Sequence, residues 1–296
     1  RADYSPAVTH GRVYTGSTAG KIYCFDALTG RTLWSFQTGG AVISCPTVQQ
    51  GKVYVGSSDG NIYCLKAAKG TLIWKFSTGG PVGSSPSLYK GRIYVGSMDG
   101  NLYCLNARTG QKIWSYNTGP IYHSSAAISD GRVYIIGSYL YCLNAKSGEL
   151  IWKDTTVTDG NASPMLSDGF VYAGFSLPGW GRLWSFTPGA AVCSTPAIAN
   201  GNVYFGSCDN KMYCVDANTG NEVWSYWAGS YEIRSSPAIA RGLVYFIDHN
   251  LDGLNGKVYC LDATSGAVVW SYVTLSEGGW SYPAVAKGIV FVGAGD

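Results

Sequence analysis

Residues 248–256 read Asp-His-Asn-Leu-Asp-Gly-Leu-Asn-Gly. In the spacing D-x-[DN]-x-[DN]-G, the side-chain oxygens of Asp248, Asn250 and Asp252 and the backbone carbonyl of Leu254 can converge on a hard cation, with Gly253 at the sharp bend. The twelfth position of such a loop would be Tyr259, which has no carboxylate to give, so water or another loop would have to complete the shell. Asn and Asp also settle in turns for purely local reasons. The segment is therefore a candidate calcium loop, with a metal-free ordered turn as the competing reading.

A second group of residues could recognise a partner. Tyr122 and His123, Tyr231, Glu232 and Arg234, and Glu277 and Trp280 sit in connections that are otherwise short and generic. Together with Asp248 and Trp180 they give a set of aromatic and charged side chains suited to one binding face over a rigid scaffold. The alternative is that they only plug a channel mouth and pair with each other. No catalytic residues are assigned. The three histidines (His10, His123, His249) do not form a metal set, and no serine has a recognisable paired base.

The elements that must position these residues follow from a repeat. Trp34, Trp74 and Trp114 lie 40 residues apart, and GRIYVGSMDGNLYCLNARTGQKIWSYNT at 91–118 has near copies at 11–38 and 51–78. Four short strand-like runs in a period near 40 are the mark of a propeller blade. Strand A is the SPAV-type run, B the VYVGS run, C the YCL run, and D carries the Trp. Asp-Gly at 59–60 and 99–100 predicts two-residue B–C hairpins with positive φ, and Thr-Gly at 29–30, 109–110 and 219–220 predicts the C–D corners. B–C turns and D–A connections then emerge at one end of each blade, A–B turns (His10 among them) and C–D turns at the other. One all-β propeller domain over 1–296 is expected, its blades at 5–43, 44–83, 84–123, 124–162, 163–192, 193–234, 235–280 and 281–296. Blade 5 reads as degenerate and blade 8 as incomplete, so the expected ring is eight-bladed, with seven as the alternative. A neighbouring segment or chain would complete blade 8.

The motif A-x-[TS]-G-x-x-x-W recurs at 27–34, 107–114, 145–152, 217–224 and 263–270, with Lys69 in the Thr place of repeat 2. It resembles the tryptophan-docking motif of pyrroloquinoline-quinone-type propeller repeats. On that resemblance Trp34, Trp74, Trp114, Trp152, Trp184, Trp224 and Trp270 are structural docking residues. An indole buries up to about 250 Å², an upper bound of roughly 6 kcal/mol at ~25 cal/mol per Å². The resemblance implies two kinds of relative. Quinone-dependent dehydrogenases are larger, hold the quinone with Ca²⁺, use an Asp base and carry adjacent cysteines. This chain has no Cys-Cys pair. Catalytically silent relatives, the outer-membrane assembly lipoproteins and archaeal surface propellers, serve as binding scaffolds.

Composition narrows the choice. Charged residues are 13% and the net charge is +3 without a basic cluster, which argues against nucleic-acid binding. No apolar run reaches the ~18 residues of a membrane-spanning helix, so no membrane insertion is expected. The abrupt start at Arg1 suggests a segment upstream. Six of the nine cysteines, Cys24, Cys64, Cys104, Cys142, Cys214 and Cys260, share one repeat position and read as small buried hydrophobes. Cys208 and Cys214 are the one local pair that could bridge. The expected function is a non-catalytic scaffold of an exported or cell-surface protein, periplasmic as the alternative. It would present one loop face to a protein or glycan partner and require no cofactor. A quinone-dependent oxidoreductase and a structural module of a longer surface chain or filament are the alternatives.

Overall fold

The computed structural model describes residues 5–155, 163–167, 170–173, 184, 186–192, 194–229, 231–248, 255–277, 282–286 and 288–292. These residues form strands, turns and loops, with no helix among them. They group into two compact bodies, Arg1–Asn161 and Ala162–Asp296.

The first body contains four antiparallel four-stranded blades, each in the order A-B-C-D. Blade 2 is typical: Thr47–Gln49, Lys52–Gly56, Asn61–Lys66 and Leu72–Ser77. Strands B and C are buried almost end to end, because neighbouring blades cover both faces. Strand D alternates, because it is the outer edge. The second body holds blades with strand A at Ala197–Ala199 and at Ala238–Ala240, plus two two-stranded hairpins. These hairpins are Met165–Ser167 with Phe170–Tyr172, and Ala284–Ala286 with Ile289–Phe291. Among the described residues six four-stranded blades are therefore present, not the seven or eight expected. Repeats 5 and 8 contribute only strands A and B among the described residues, and the LPGWG segment 177–181 of repeat 5 lies outside them.

Turn chemistry follows backbone sterics, with one change from expectation. The A–B corners are the true two-residue hairpins: His10-Gly11, Gln50-Gly51 and Lys90-Gly91 all have positive φ at both positions. The B–C corners are one residue longer. Gly60 has φ +79°, but Asp59 does not share it. Ser57 N–H donates to the Asn61 carbonyl and Gly60 N–H to the Ser57 carbonyl. Asp59 is thereby released from the turn backbone and its carboxylate is free for other work.

Contacts between consecutive blades repeat with the sequence. The Trp34, Trp74 and Trp114 indole N–H groups donate to the carbonyls of Ala67, Ala107 and Ala145 in the following blade, at 3.0–3.3 Å. Trp184 and Trp224 do the same to Ala217 and Ala263. The hydroxyls of Tyr14, Tyr54, Tyr94, Tyr172 and Tyr204 donate to those same five carbonyls. Each indole also lies against a glycine of the next blade. A Cβ added to Gly110 would stand 2.6 Å from Trp74, and one on Gly148 2.6 Å from Trp114. The six strand-C cysteines are buried and free, as expected. The Cys208–Cys214 bridge is not formed. Cys214 is free and paired between Tyr204 and Trp224 within the sheet. Cys208, in the B–C turn, is disulfide-bonded elsewhere, and its N–H donates to the Ala191 carbonyl of the preceding connection.

Candidate functional site

The B–C end of repeats 2, 3 and 6 is organised by a carboxylate that the sequence disguises as a turn residue. Asp59 Oδ1 accepts from the Asn61 N–H, and Oδ2 accepts from the Tyr63 hydroxyl at 2.6 Å. Oδ2 also accepts from the N–H of Gly39 in the connection leaving the preceding blade, at 2.8 Å. Asp99 repeats this with Asn101, Tyr103 and Gly79, and Asp209 with Lys211, Tyr213 and Gly189. A Cβ on Gly39 would meet Asp59 Oδ2 at 2.9 Å, which explains the glycine there. The latch was legible only as a recurring Gly one blade before a recurring Asp and Tyr.

These contacts set a pH dependence. Burial by itself would raise the Asp59 and Asp99 carboxyls, but the tyrosine hydroxyl and the backbone donors outweigh it and hold both below the usual carboxylate value. A carboxylate with a lowered folded pKa stabilises fully above its unfolded value, about pH 4, and that contribution is lost as the pH falls through the folded value. The paired Tyr63 is pushed up to about 12, by burial first and then by Asp59. Its share is lost in the alkaline range, between the unfolded value and about 12. Replacing Asp59 and Asp99 together by Asn should flatten the acid limb of a melting-temperature profile. An acid limb identical to that of the parent chain would show that the latch does not contribute.

Asp248 plays the same part in repeat 7. It is buried; Oδ1 accepts from the Lys257 N–H at 2.6 Å, and the Tyr259 hydroxyl lies 3.1 Å from Oδ2 while donating to the Ala228 carbonyl at 2.6 Å. Tyr259, which breaks the calcium-loop pattern, is thus the counterpart of Tyr63. The other expected ligands Asn250, Asp252 and Leu254 lie outside the described residues, as do Trp180 and Trp280. Glu277 ends strand D of repeat 7, Val268–Glu277.

In the first body, Tyr122 and His123 fall in the connection between Asn117 and Ala127, which is as long as those between Gln37 and Thr47 and between Ser77 and Ser87 but places its buried aliphatic residue one position earlier. Ile121, at its start, is buried against Gly96, where a Cβ would stand 2.5 Å from it. Val42, Val82 and Ile233 pack on Gly16, Gly56 and Gly206 in the same way. One more residue separates Ile121 from Ser124 than Val42 from Ser44 or Val82 from Ser84, and there the chain passes over Gly83, whose Cβ would collide with the Tyr122 carbonyl at 2.3 Å. Tyr122 is half exposed, and burial favours the neutral imidazole of His123. Beside Gly83, the buried Ser84 hydroxyl has no hydrogen-bond partner, whereas Ser44 bonds both polar groups of Gly56.

In the second body, Tyr231, Glu232 and Arg234 occupy the connection between Trp227 and Ala238. The Arg234 guanidinium donates to Glu232 at 2.6 Å, both side chains about 30% exposed. Ile233 between them is fully buried, so the backbone alternates and holds the ion pair outward. The residues just before strand A link neighbouring repeats: Cys45 N–H donates to Ser85 Oγ, Ser85 N–H to Ser125 Oγ, and Thr195 N–H to Ser236 Oγ. These serines are structural, which accounts for the SSP runs.

Blades of this order, tied by a repeated Trp–Gly contact and an Asp–Tyr–Gly latch, define a β-propeller repeat protein. The model of the pyrroloquinoline-quinone-type repeat family described as outer membrane protein assembly factor BamB matches residues 2–173, and the chain belongs to that family. Among solved structures, the computationally designed Ika8 protein is similar with a TM-score of 0.83 and 17% identity, covering 99% of this chain and 93% of that one. BamB from Moraxella catarrhalis is similar with a TM-score of 0.55 and 16% identity, covering 99% of this chain and 80% of that one. Identities this low speak for the fold alone. No curated protein matches the chain.

Proposed function

We propose that the protein is a non-catalytic, protein-binding scaffold of the cell envelope. It would recognise its partner through the D–A connections at the B–C end of its blades. The observation that carries this reading is the contrast within the repeats. Turn and core positions are copied from blade to blade, whereas Tyr122-His123 and Tyr231-Glu232-Arg234 depart from the copy in the D–A connections. An exposed tyrosine and an outward ion pair are chemistry suited to a protein surface. The family's name supports an envelope setting, and the disulfide at Cys208 suits an oxidising compartment. Among the described residues no group of three His, Cys, Asp or Glu side chains converges on a metal site. Calcium in the 248–254 loop would compete with Lys257 and Tyr259 for the Asp248 carboxylate.

The test is site-specific photo-cross-linking in intact cells, with the cross-linker at Tyr122, at Tyr231, or at Leu28, an 87% exposed residue in a C–D turn. Discrete protein adducts from Tyr122 and Tyr231 but not from Leu28 are expected. Adducts equal at all three positions, or a protease-resistant glycan adduct, would overturn the reading.

A further inference from the structure

The sequence has no run of basic residues, but the fold gathers them. Between residues 44 and 123 there are eight basic side chains and two acids, Asp59 and Asp99. Both acids sit at the B–C end of their blades, inside the latches described above. Six of the eight bases stand at the opposite end. Lys52 opens strand B of repeat 2, Lys66 closes its strand C, and Lys69 is in the C–D turn. Lys90, Arg92 and Arg108 take the A–B corner, the strand B start and the C–D turn of repeat 3. Lys66, Lys69, Lys90 and Arg108 are exposed. Repeat 4 adds Arg132 and Lys146 but also Asp130 and Glu149, so the patch centres on repeats 2 and 3.

The frame does not call for these charges. Strand C ends on Asp26 in repeat 1, Asp216 in repeat 6 and Asp262 in repeat 7, and each carboxylate accepts two backbone N–H groups of its C–D turn. Asn106 and Asn144 close the same turn without the charge. Lys66 stands in that place in repeat 2 and has no acceptor to offer. It also faces Lys52 directly across strands B and C, where repeat 1 pairs Arg12 with Asp26. Like charges directly opposite are destabilising. Repeat 2 thus gives up a turn cap and a favourable pair for a second positive charge. Arg12 adds a third from the preceding blade. Its guanidinium donates to the Ala67 and Ala68 carbonyls, which fixes it on the corner that carries Lys66 and Lys69.

An apolar side chain projects from the same end. Leu28, in the C–D turn of repeat 1, is 87% exposed, and Arg31 beside it is exposed as well. The same turn position holds Ala68, Arg108 and Lys146 in the next three repeats, so the turn itself does not require a large apolar residue. We infer that this end of the first body docks on an anionic phospholipid bilayer. The lysines and arginines lie against the headgroup phosphates, and Leu28 enters the interface without any part of the chain spanning it. Nucleic acid fits the patch less well. Leu28 gains nothing from a phosphate backbone, and no exposed aromatic stands at this end of repeats 2 and 3 for bases to stack on. The surface lies at the opposite end from the connections proposed above and does not depend on that reading.

The test is cosedimentation of the full chain with vesicles of phosphatidylcholine containing about 30% phosphatidylglycerol, at about 0.1 M salt, beside vesicles of phosphatidylcholine alone. Binding to the anionic vesicles alone is expected. Lys66→Gln, Lys69→Gln and Arg108→Gln combined should weaken it on the order of 100-fold, at roughly fivefold per charge. Lys21→Gln, Lys75→Gln and Lys153→Gln combined remove as much charge from elsewhere in the first body and should weaken it by less than about threefold, because salt screens distant charges. Leu28→Ser should weaken it about fivefold or more. Every side chain replaced is exposed, so none of these variants removes a core contact. No preference for anionic vesicles, equal losses from the two triple variants, no effect of Leu28→Ser, or tighter binding to a duplex DNA oligonucleotide than to the anionic vesicles would overturn the proposal.

Discussion

Trp114→Ala is expected to cost about 3–5 kcal/mol of stability, the usual range for removing a large aromatic from a packed site. The indole is 9% exposed, donates to the Ala145 carbonyl, rests on Gly148, and leans on Tyr94 at 5.8 Å. Truncation removes these three contacts at once and leaves the Ala145 carbonyl with the Tyr94 hydroxyl and the Arg92 guanidinium. For a chain of this size the melting temperature should fall by on the order of 10 °C. Trp270→Ala is the internal control. Its indole is 39% exposed and has no acceptor among the described residues, so its loss should be a small fraction of that. Thermal melts of the two variants side by side decide the matter: equal shifts would mean that the covering blade contributes nothing to the tryptophan's effect.

Gly110→Ala should be nearly as damaging, although it adds a single methyl group. Two effects combine. Gly110 has φ +75°, where an L side chain costs roughly 1–2 kcal/mol. The new Cβ would also stand 2.6 Å from the Trp74 ring, a rigid group held by its own hydrogen bond, so the blades must separate or the indole must turn out. Such overpacking adds a further ~1–3 kcal/mol. Gly30→Ala isolates the first effect, since Gly30 has φ +69° and nothing within 4 Å of the added Cβ. Urea unfolding should place Gly110→Ala well below Gly30→Ala. Coincident midpoints would show that backbone strain alone explains the glycine.

Much of this frame was legible because its key residues are chemically particular. A tryptophan at fixed spacing after a Thr-Gly turn leaves few interpretations, and the predicted strands and C–D corners stand where the spacing put them. Other features were hidden for stated reasons. The acceptor of each tryptophan is a backbone carbonyl, which every residue has, so Ala145 carries no mark of the role. Asp59 was read with Gly60 as a turn pair; only the longer loop shows that its carboxylate reaches forward to Tyr63 and back to Gly39. The Cys208–Cys214 pairing failed because sequence proximity says nothing about facing. Cys214 looks into the sheet, and Cys208 sits in a turn bonded to the preceding connection. The blade count missed because repeats 5 and 8, read as degenerate and incomplete, were still counted toward the ring, whereas among the described residues each forms only a two-stranded hairpin. The site was legible only as a departure from the repeat. Tyr122 stood out, but the reason its backbone can rise there is the absent side chain of Gly83, a residue that looked generic.

The central claim is a division of labour between copied residues that hold the frame and uncopied connection residues that are free for recognition. The most direct measurement is the melting temperature of Tyr122→Ala and of Tyr231→Ala beside that of Trp114→Ala. The connection variants should melt within about 2 °C of the parent, as surface changes of under ~0.5 kcal/mol do, while Trp114→Ala falls far below. A loss for Tyr122→Ala or Tyr231→Ala comparable to that of Trp114→Ala would place these residues in the frame and contradict the account.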